Sequence, residues 1–154
     1  MKILSVKQPW ACLIIEGIKP IDNRNWRCPE KYIGQRIGIH ASKMAEYDNC
    51  FSAFAPFFEL NSKQFSSLSS DKKKEIIEYS KIRSAIIGTV EIVGYEINSD
   101  NIWADKTRGK IDLNKDILLC NRKDIIYNWI LANPIKFDKP IPASGKLRFW
   151  DFDL

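Results

Sequence analysis

The chain predicts an α+β fold built around a small mixed β-barrel, with short helices flanking the barrel. Three observations carry that reading. Strand-like segments stand at both ends, residues 2–6 and 146–152. A long β-rich run, residues 85–97, contains Gly88 and Gly94, which mark bulges or bends of the kind that let a sheet curl. Helical segments interrupt the strands without the regular alternation of a parallel βαβ protein, and no glycine-rich phosphate loop is present.

The elements follow in chain order. Residues 2–6 alternate in polarity and open the chain as a strand. Pro9 then precedes the apolar run of residues 11–15, and Gly17 follows as a natural helix stop. This predicts a short helix over 9–16, with Lys7 and Gln8 at its entrance. Residues 19–27 read as extended, 32–34 as a turn and 36–41 as an alternating strand. Ser42 is the expected N-cap of a helix running from Lys43 into the aromatic segment 51–58, interrupted at Pro56.

Residues 61–70 are polar and read as a loop, with Asp71 capping a helix over 72–82. The run Lys72-Lys73-Lys74 reads as a solvated face. Beyond the 85–97 run, residues 98–123 are poorly patterned and read as loops or an insertion. Tyr127, Trp129 and Leu131 alternate, so 125–132 reads as a strand. Pro140 and Pro142 make 137–144 an extended loop before the final strand. With no repeat and no linker, the 154 residues are expected to form one domain.

Composition narrows the class. Hydrophobic residues make up 45% and charged residues 28%, the balance of an ordinary globular protein. No apolar run approaches the ~20 residues that span a bilayer. The N-terminus lacks the pattern of a secretory signal, so a cytoplasmic protein is expected. Cys12, Cys28, Cys50 and Cys120 form no Cys-x-x-Cys pair and fit neither a zinc ribbon nor a disulfide scaffold. No metal and no cofactor is expected.

The charge distribution is more telling. The formal net charge is +5, and residues 1–43 hold eight basic and three acidic side chains, so the whole excess lies in the first third. Such a concentration suits an anionic partner, a nucleotide or a nucleic acid. The plainer reading is a solvated basic surface.

Lys7, Gln8, Lys19, Asp22 and Arg24 bracket the short apolar helix and are expected to converge on one cleft. Lys19 and Arg24 would hold an anion or a base edge, with Asp22 fixing their orientation. Arginine suits this because its planar fork binds phosphate in a bidentate manner. The alternative is a structural Asp22–Arg24 ion pair. On a regular strand Lys19 and Asp22 face opposite sides, so they meet only if Pro20 or a bulge changes the register. Trp26, in a polar neighbourhood, is the preferred platform for stacking a base, and Trp10 reads at least equally as core. His40 has no triad partner and reads as a packed side chain that can also edge the cleft. Lys43 and Lys146 read as rim or solvated lysines.

Several blocks of residues resemble one known family. They are Leu4-Ser5-Val6-Lys7-Gln8-Pro9-Trp10-Ala11; Gly17-Ile18-Lys19 with Asp22-Asn23-Arg24 and Trp26; Ile39-His40-Ala41-Ser42-Lys43; Ile87-Gly88-Thr89-Val90-Glu91-Ile92; and Trp129 with Asn133-Pro134, Pro140-Ile141-Pro142 and Gly145-Lys146. The second block looks like the Gly-x-Lys-x-x-Glu-x-Arg signature of the ASCH domain (activating signal cointegrator homology), a branch of the PUA-like fold. The resemblance runs over nearly the whole chain, and only its first two blocks are specific. It implies a PUA-like β-barrel. The family's acidic position, usually Glu or, in an amidohydrolase branch, Thr, is Asp22 here.

Three functions follow as expectations. The first is a module that binds RNA, another single-stranded nucleic acid or a nucleotide. The second, implied by the resemblance, is a small hydrolase acting on an acetylcytidine-type nucleoside or on RNA, with Lys19 and Asp22 as its catalytic residues. The third is a protein-interaction module in a transcription or translation assembly.

Overall fold

A computed structural model of the chain describes residues 1–45, 62–107 and 124–154. One six-stranded sheet organises them, with strands β1 (Lys2–Gln8), β2 (Ile21–Arg24), β3 (Arg36–Ala45), β4 (Ala85–Glu96), β5 (Tyr127–Pro142) and β6 (Phe149–Asp151) in the order β2-β5-β4-β3-β1-β6. Only β1 and β3 run parallel; the other neighbours are antiparallel.

Among the described residues the sheet is mixed, as expected, but it is not closed into a barrel: β2 and β6 stand at opposite ends of the strand order. The sheet curls instead. Its register slips at three places along β4 and β5, between Ile86 and Gly88, Thr89 and Glu91, and Ile92 and Gly94. Such slips bend the strand and increase its twist. Curling brings the two edges near each other. Arg24 Nη2 on β2 donates to the Ser5 carbonyl of β1 at 3.1 Å. Trp26, just past β2, packs edge-on against Phe149 of β6 at 5.8 Å between centroids.

Helix α1 (Trp10–Ile15) fills the hollow of the curl, packed on β1, β3, β4 and β5. Ala11 to Ile15 are all buried, which explains a continuous apolar run rather than a striped one. Gln8 lies 1% exposed and caps this helix: its Oε1 accepts from Cys12 N at 3.0 Å and its Nε2 donates to the Ile82 carbonyl at 3.0 Å. Gly17 ends the helix with φ +72°, in the left-handed region that favours glycine. Glu16, beside it, accepts from Lys72 Nζ at 2.6 Å and from Lys136, tying α1 to its neighbours. A smaller apolar cluster of Ile3, Ile86 and Trp150 forms apart from this main core.

Other expectations need correction. Ser42 and Lys43 belong to β3, so Ser42 caps no helix at Lys43, and the rest of that predicted helix lies outside the described residues. A short helix α2 (Ser62–Phe65) occupies part of the predicted 61–70 loop. Ser69, not Asp71, caps helix α3 (Ser70–Tyr79), its Oγ accepting from Lys72 N at 3.1 Å. Lys72 is paired with Glu16 and Glu75 rather than merely solvated.

Residues 137–142 are strand despite their prolines. On the β2 side, β5 pairs as far as Ile130 and Leu131 N then donates to the Pro20 carbonyl at 2.8 Å; among the described residues no strand pairs that edge further on, where the prolines lie. The last strand is shorter than predicted, because Arg148 breaks it with φ +58°. Cys12 and Cys28 are buried free thiols; Cys50 and Cys120 lie outside the described residues. Among the described residues, no helix is long and apolar enough to cross a membrane.

At Gly88 both α1 and β5 press against β4. A Cβ there would sit 2.3 Å from the Ile135 carbonyl oxygen and 2.9 Å from Ile15 Cδ1, whereas one at Gly94 would meet nothing within 4 Å. Gly88→Ala should therefore cost about 2 kcal/mol in urea unfolding, in the range of overpacked cores. Gly94→Ala should change stability by less than about 0.5 kcal/mol.

Candidate functional site

The gap between the two edges of the sheet opens into a cleft of about 550 Å³. Its floor is laid by the end of β1 and by the chain that leaves α1. Helix α1 stops at Gly17, and Lys19 then folds back so that its ammonium donates to the Ile21 carbonyl at the start of β2. Lys19 is only 5% exposed. Its Nζ lies 5.6 Å from the Trp10 ring centroid and 6.0 Å from that of Trp103, within range of cation–π attraction to both indoles. Burial pulls the Lys19 pKa below its ordinary value, and Arg24 adds to this, while the charges of Asp22 and Asp105 oppose it.

Asp22 and Arg24 form the cleft's second element. Asp22 is 5% exposed and its Oδ2 accepts from Arg24 Nε at 2.6 Å. The same guanidinium reaches the Ser5 carbonyl. A carboxylate this deep needs such a partner, because an unpaired buried charge is costly. The ion pair is thus at once a structural bridge and a wall of the cleft.

The third element is the loop of residues 98–107, which carries Trp103 and Asp105 into the cleft. Asn128, fully buried, organises it: its Oδ1 accepts from Ser99 N at 3.0 Å, and its Nδ2 donates to Asn23 Oδ1 at 2.9 Å and to the Asp105 carbonyl at 3.0 Å. Asn23 in turn donates to the Trp103 carbonyl at 3.0 Å and accepts from Asp105 N at 3.1 Å. Two asparagines on paired strands thus fix both cleft-facing side chains of the loop through its backbone.

The predicted residues divide by position. Lys7, Lys19, Asp22 and Arg24 line one cleft. Lys19 and Asp22 share it because Pro20 separates Lys19 from the strand, so strand alternation does not apply to it. Gln8 faces inward as the cap of α1. Trp26 lies in an aromatic seam, 4.6 Å from Trp129 and 5.8 Å from Phe149, and it is Trp10 that faces the cleft. His40 is buried behind the rim, and Lys43 is exposed on β3 outside the cleft lining. Trp103, Asp105, Gln64 and Arg148 line the cleft without having been singled out in the sequence; Lys146 lines it too. A lone tryptophan within the Asn- and Asp-rich stretch 98–105 was the available signal for the loop, since such residues favour turns closed by their own side chains. Among the described residues, no group of three His, Cys, Asp or Glu side chains is gathered as a metal site.

No protein-family model and no curated protein matches the chain. Among solved structures it is similar to the crystal structure of ASCH from Zymomonas mobilis, with a TM-score of 0.45 and 13% sequence identity over 92% of this chain and 72% of that one. The likeness is to an ASCH-like fold. It is one of overall shape and carries no ligand or residue role across.

His40 supports the rim. Its Nε2 lies 3.0 Å from the Ala143 carbonyl, which can only accept, so the proton sits on Nε2. Nδ1 then accepts from Ser5 Oγ at 3.2 Å, and Ser5 Oγ accepts from Trp150 Nε1 at 3.1 Å. Burial lowers the His40 pKa from its ordinary 6.5, so the folded state resists a proton that the unfolded chain takes up. Its contribution to stability is complete above pH 6.5 and declines as pH falls from there toward the lower folded value. Between about pH 7 and pH 5 the Tm of His40→Gln should fall less steeply than that of the wild type. Parallel profiles would show that His40 does not titrate differently on folding.

Proposed function

We propose that the cleft binds a nucleotide unit, free or within a single strand of RNA or DNA. The observation that carries this reading is the joint presence of two indoles, Trp10 and Trp103, with five cationic side chains and two carboxylates around one cleft. A base has an apolar face for the half-buried Trp10 indole, which Trp103, 6% exposed, backs edge-on, and a polar edge for Lys19 and Asp105. A phosphate has charge for Lys7, Arg24, Lys146 and Arg148. The cleft volume, about 550 Å³, falls within the size range of small-ligand sites. Single-strand binders combine stacking platforms with basic grooves in the same way.

Lys19 is the discriminating residue. Lys19 is held by a backbone carbonyl and two indole faces, and Asp22 keeps its own partner in Arg24, so an unbranched apolar side chain in its place strands no bonded carboxylate and sheds the cost of a buried charge. Lys19→Met should therefore keep or raise Tm. Affinity for a fluorescein-labelled single-stranded RNA should drop about tenfold, the loss of one charge-assisted hydrogen bond. A stable variant with unchanged affinity would contradict the reading.

The lowered pKa of Lys19 favours a second reading, in which the same cleft hydrolyses an acylated nucleoside such as acetylcytidine. Lysine can take a proton from water only when its own is loosely held. Product release from acetylcytidine that disappears in Lys19→Met would establish this reading. Turnover that survives in the variant would remove Lys19 from the chemistry.

A further inference from the structure

Leu147 is 94% exposed at the mouth of the cleft, between Lys146 and Arg148. Single exposed leucines are ordinary on protein surfaces. This one is held out by a backbone pinned on both sides. Before it, the Ala143 amide donates to the Ser84 carbonyl at 2.9 Å, and the Ala143 carbonyl is bonded to His40. Gly145 presses so closely on His40 that a Cβ would lie 2.4 Å from Cε1 and 3.0 Å from Ser5 Oγ. After it, Arg148 takes φ +58°, and Trp150 is buried with its indole bonded to the same Ser5. A non-glycine residue in the left-handed region is held there by its surroundings. The turn is thus built on Ser5 and His40, and its apex is the leucine.

We propose that Leu147 is a wedge for a polynucleotide strand. This rests on the cleft reading above and narrows it: the occupant is a nucleotide inside a strand, not a free one. One base enters the cleft, the next rests on the Leu147 side chain, and the phosphates around them meet Lys146 and Arg148. Charge complementarity selects this occupant. An apolar tip flanked by two cations, on a cleft with five cations and two carboxylates, faces a polyanion with exposed apolar rings. Apolar wedges against base steps are an established device of nucleic-acid binding. A free nucleotide has no second base for the leucine.

The test compares adenosine monophosphate with a single-stranded RNA hexamer carrying one 2-aminopurine, titrated into the full chain. The wild type should bind the hexamer more tightly and change the 2-aminopurine emission. Leu147→Ser should weaken the hexamer about fivefold, the scale of one lost base contact, and leave adenosine monophosphate unchanged. Leu147→Phe should restore hexamer binding. The substitutions are safe for folding because the side chain is exposed. Equal hexamer affinity in Leu147→Ser, or equal loss for both ligands, overturns the wedge while leaving the cleft reading in place. A wild type that binds neither ligand overturns both.

Discussion

The Asp22–Arg24 pair and its bond to the Ser5 carbonyl span the place where the curled sheet fails to close. Two neighbours at an open sheet edge carry both charges, and the guanidinium reaches across to the strand beside the opposite edge. Trp26, Trp129 and Phe149 fill the seam with apolar contact, the last two stacked at 24° and 5.7 Å. The ladder's failure to close and the presence of a cleft are therefore one fact. A continuous ladder between β2 and β6 would occupy the opening that the cleft uses.

The charge economy of the opening follows from burial. Asp22 is compensated by a short ion pair, whereas Lys19 is held by a carbonyl and by the faces of two indoles. Cation–π contact and one hydrogen bond offset only part of the cost of removing an ammonium from water. The nearby charges of Asp22 and Asp105 supply a further part, while Arg24 works against it. The asparagine pair, Asn23 and Asn128, performs the complementary task, since fixing the backbone of the 98–107 loop pre-orients Trp103 and Asp105 before any ligand arrives.

Much of this arrangement was legible in the sequence, for reasons that can be named. Helix α1 was visible because a proline, an apolar run and a glycine stand in sequence order, and each acts locally. The grouping of Lys19, Asp22 and Arg24 was visible because they are neighbours along the chain. The mixed, curled sheet is legible, but its closure is not, because closure depends on which strands end up at the edges, a long-range property that alternation does not encode. Gln8 was misplaced because a polar residue beside a charged one looks exposed, yet its amide is the cap of a buried helix. Residues 137–142 look like loop because proline disfavours a central strand, whereas among the described residues no strand pairs the outer edge of β5 there. Trp10 and Trp26 exchanged places because local polarity does not reveal that Trp26 is packed on aromatic residues about 100 positions or more away.

The proposed function stands on a ligand seated between the open edges and against the Trp10 indole, with Trp103 behind it. Nuclear magnetic resonance of the five tryptophan indole N–H groups during titration with single-stranded RNA tests this most directly. Trp10, half-buried in the cleft lining, should shift strongly, and Trp103, 6% exposed and packed edge-on against it, should follow more weakly. Trp129 and Trp150, buried and bonded to the Trp26 carbonyl and Ser5 Oγ, should move little. Shifts confined to indoles outside the cleft, with Trp10 and Trp103 unmoved at saturation, would contradict it.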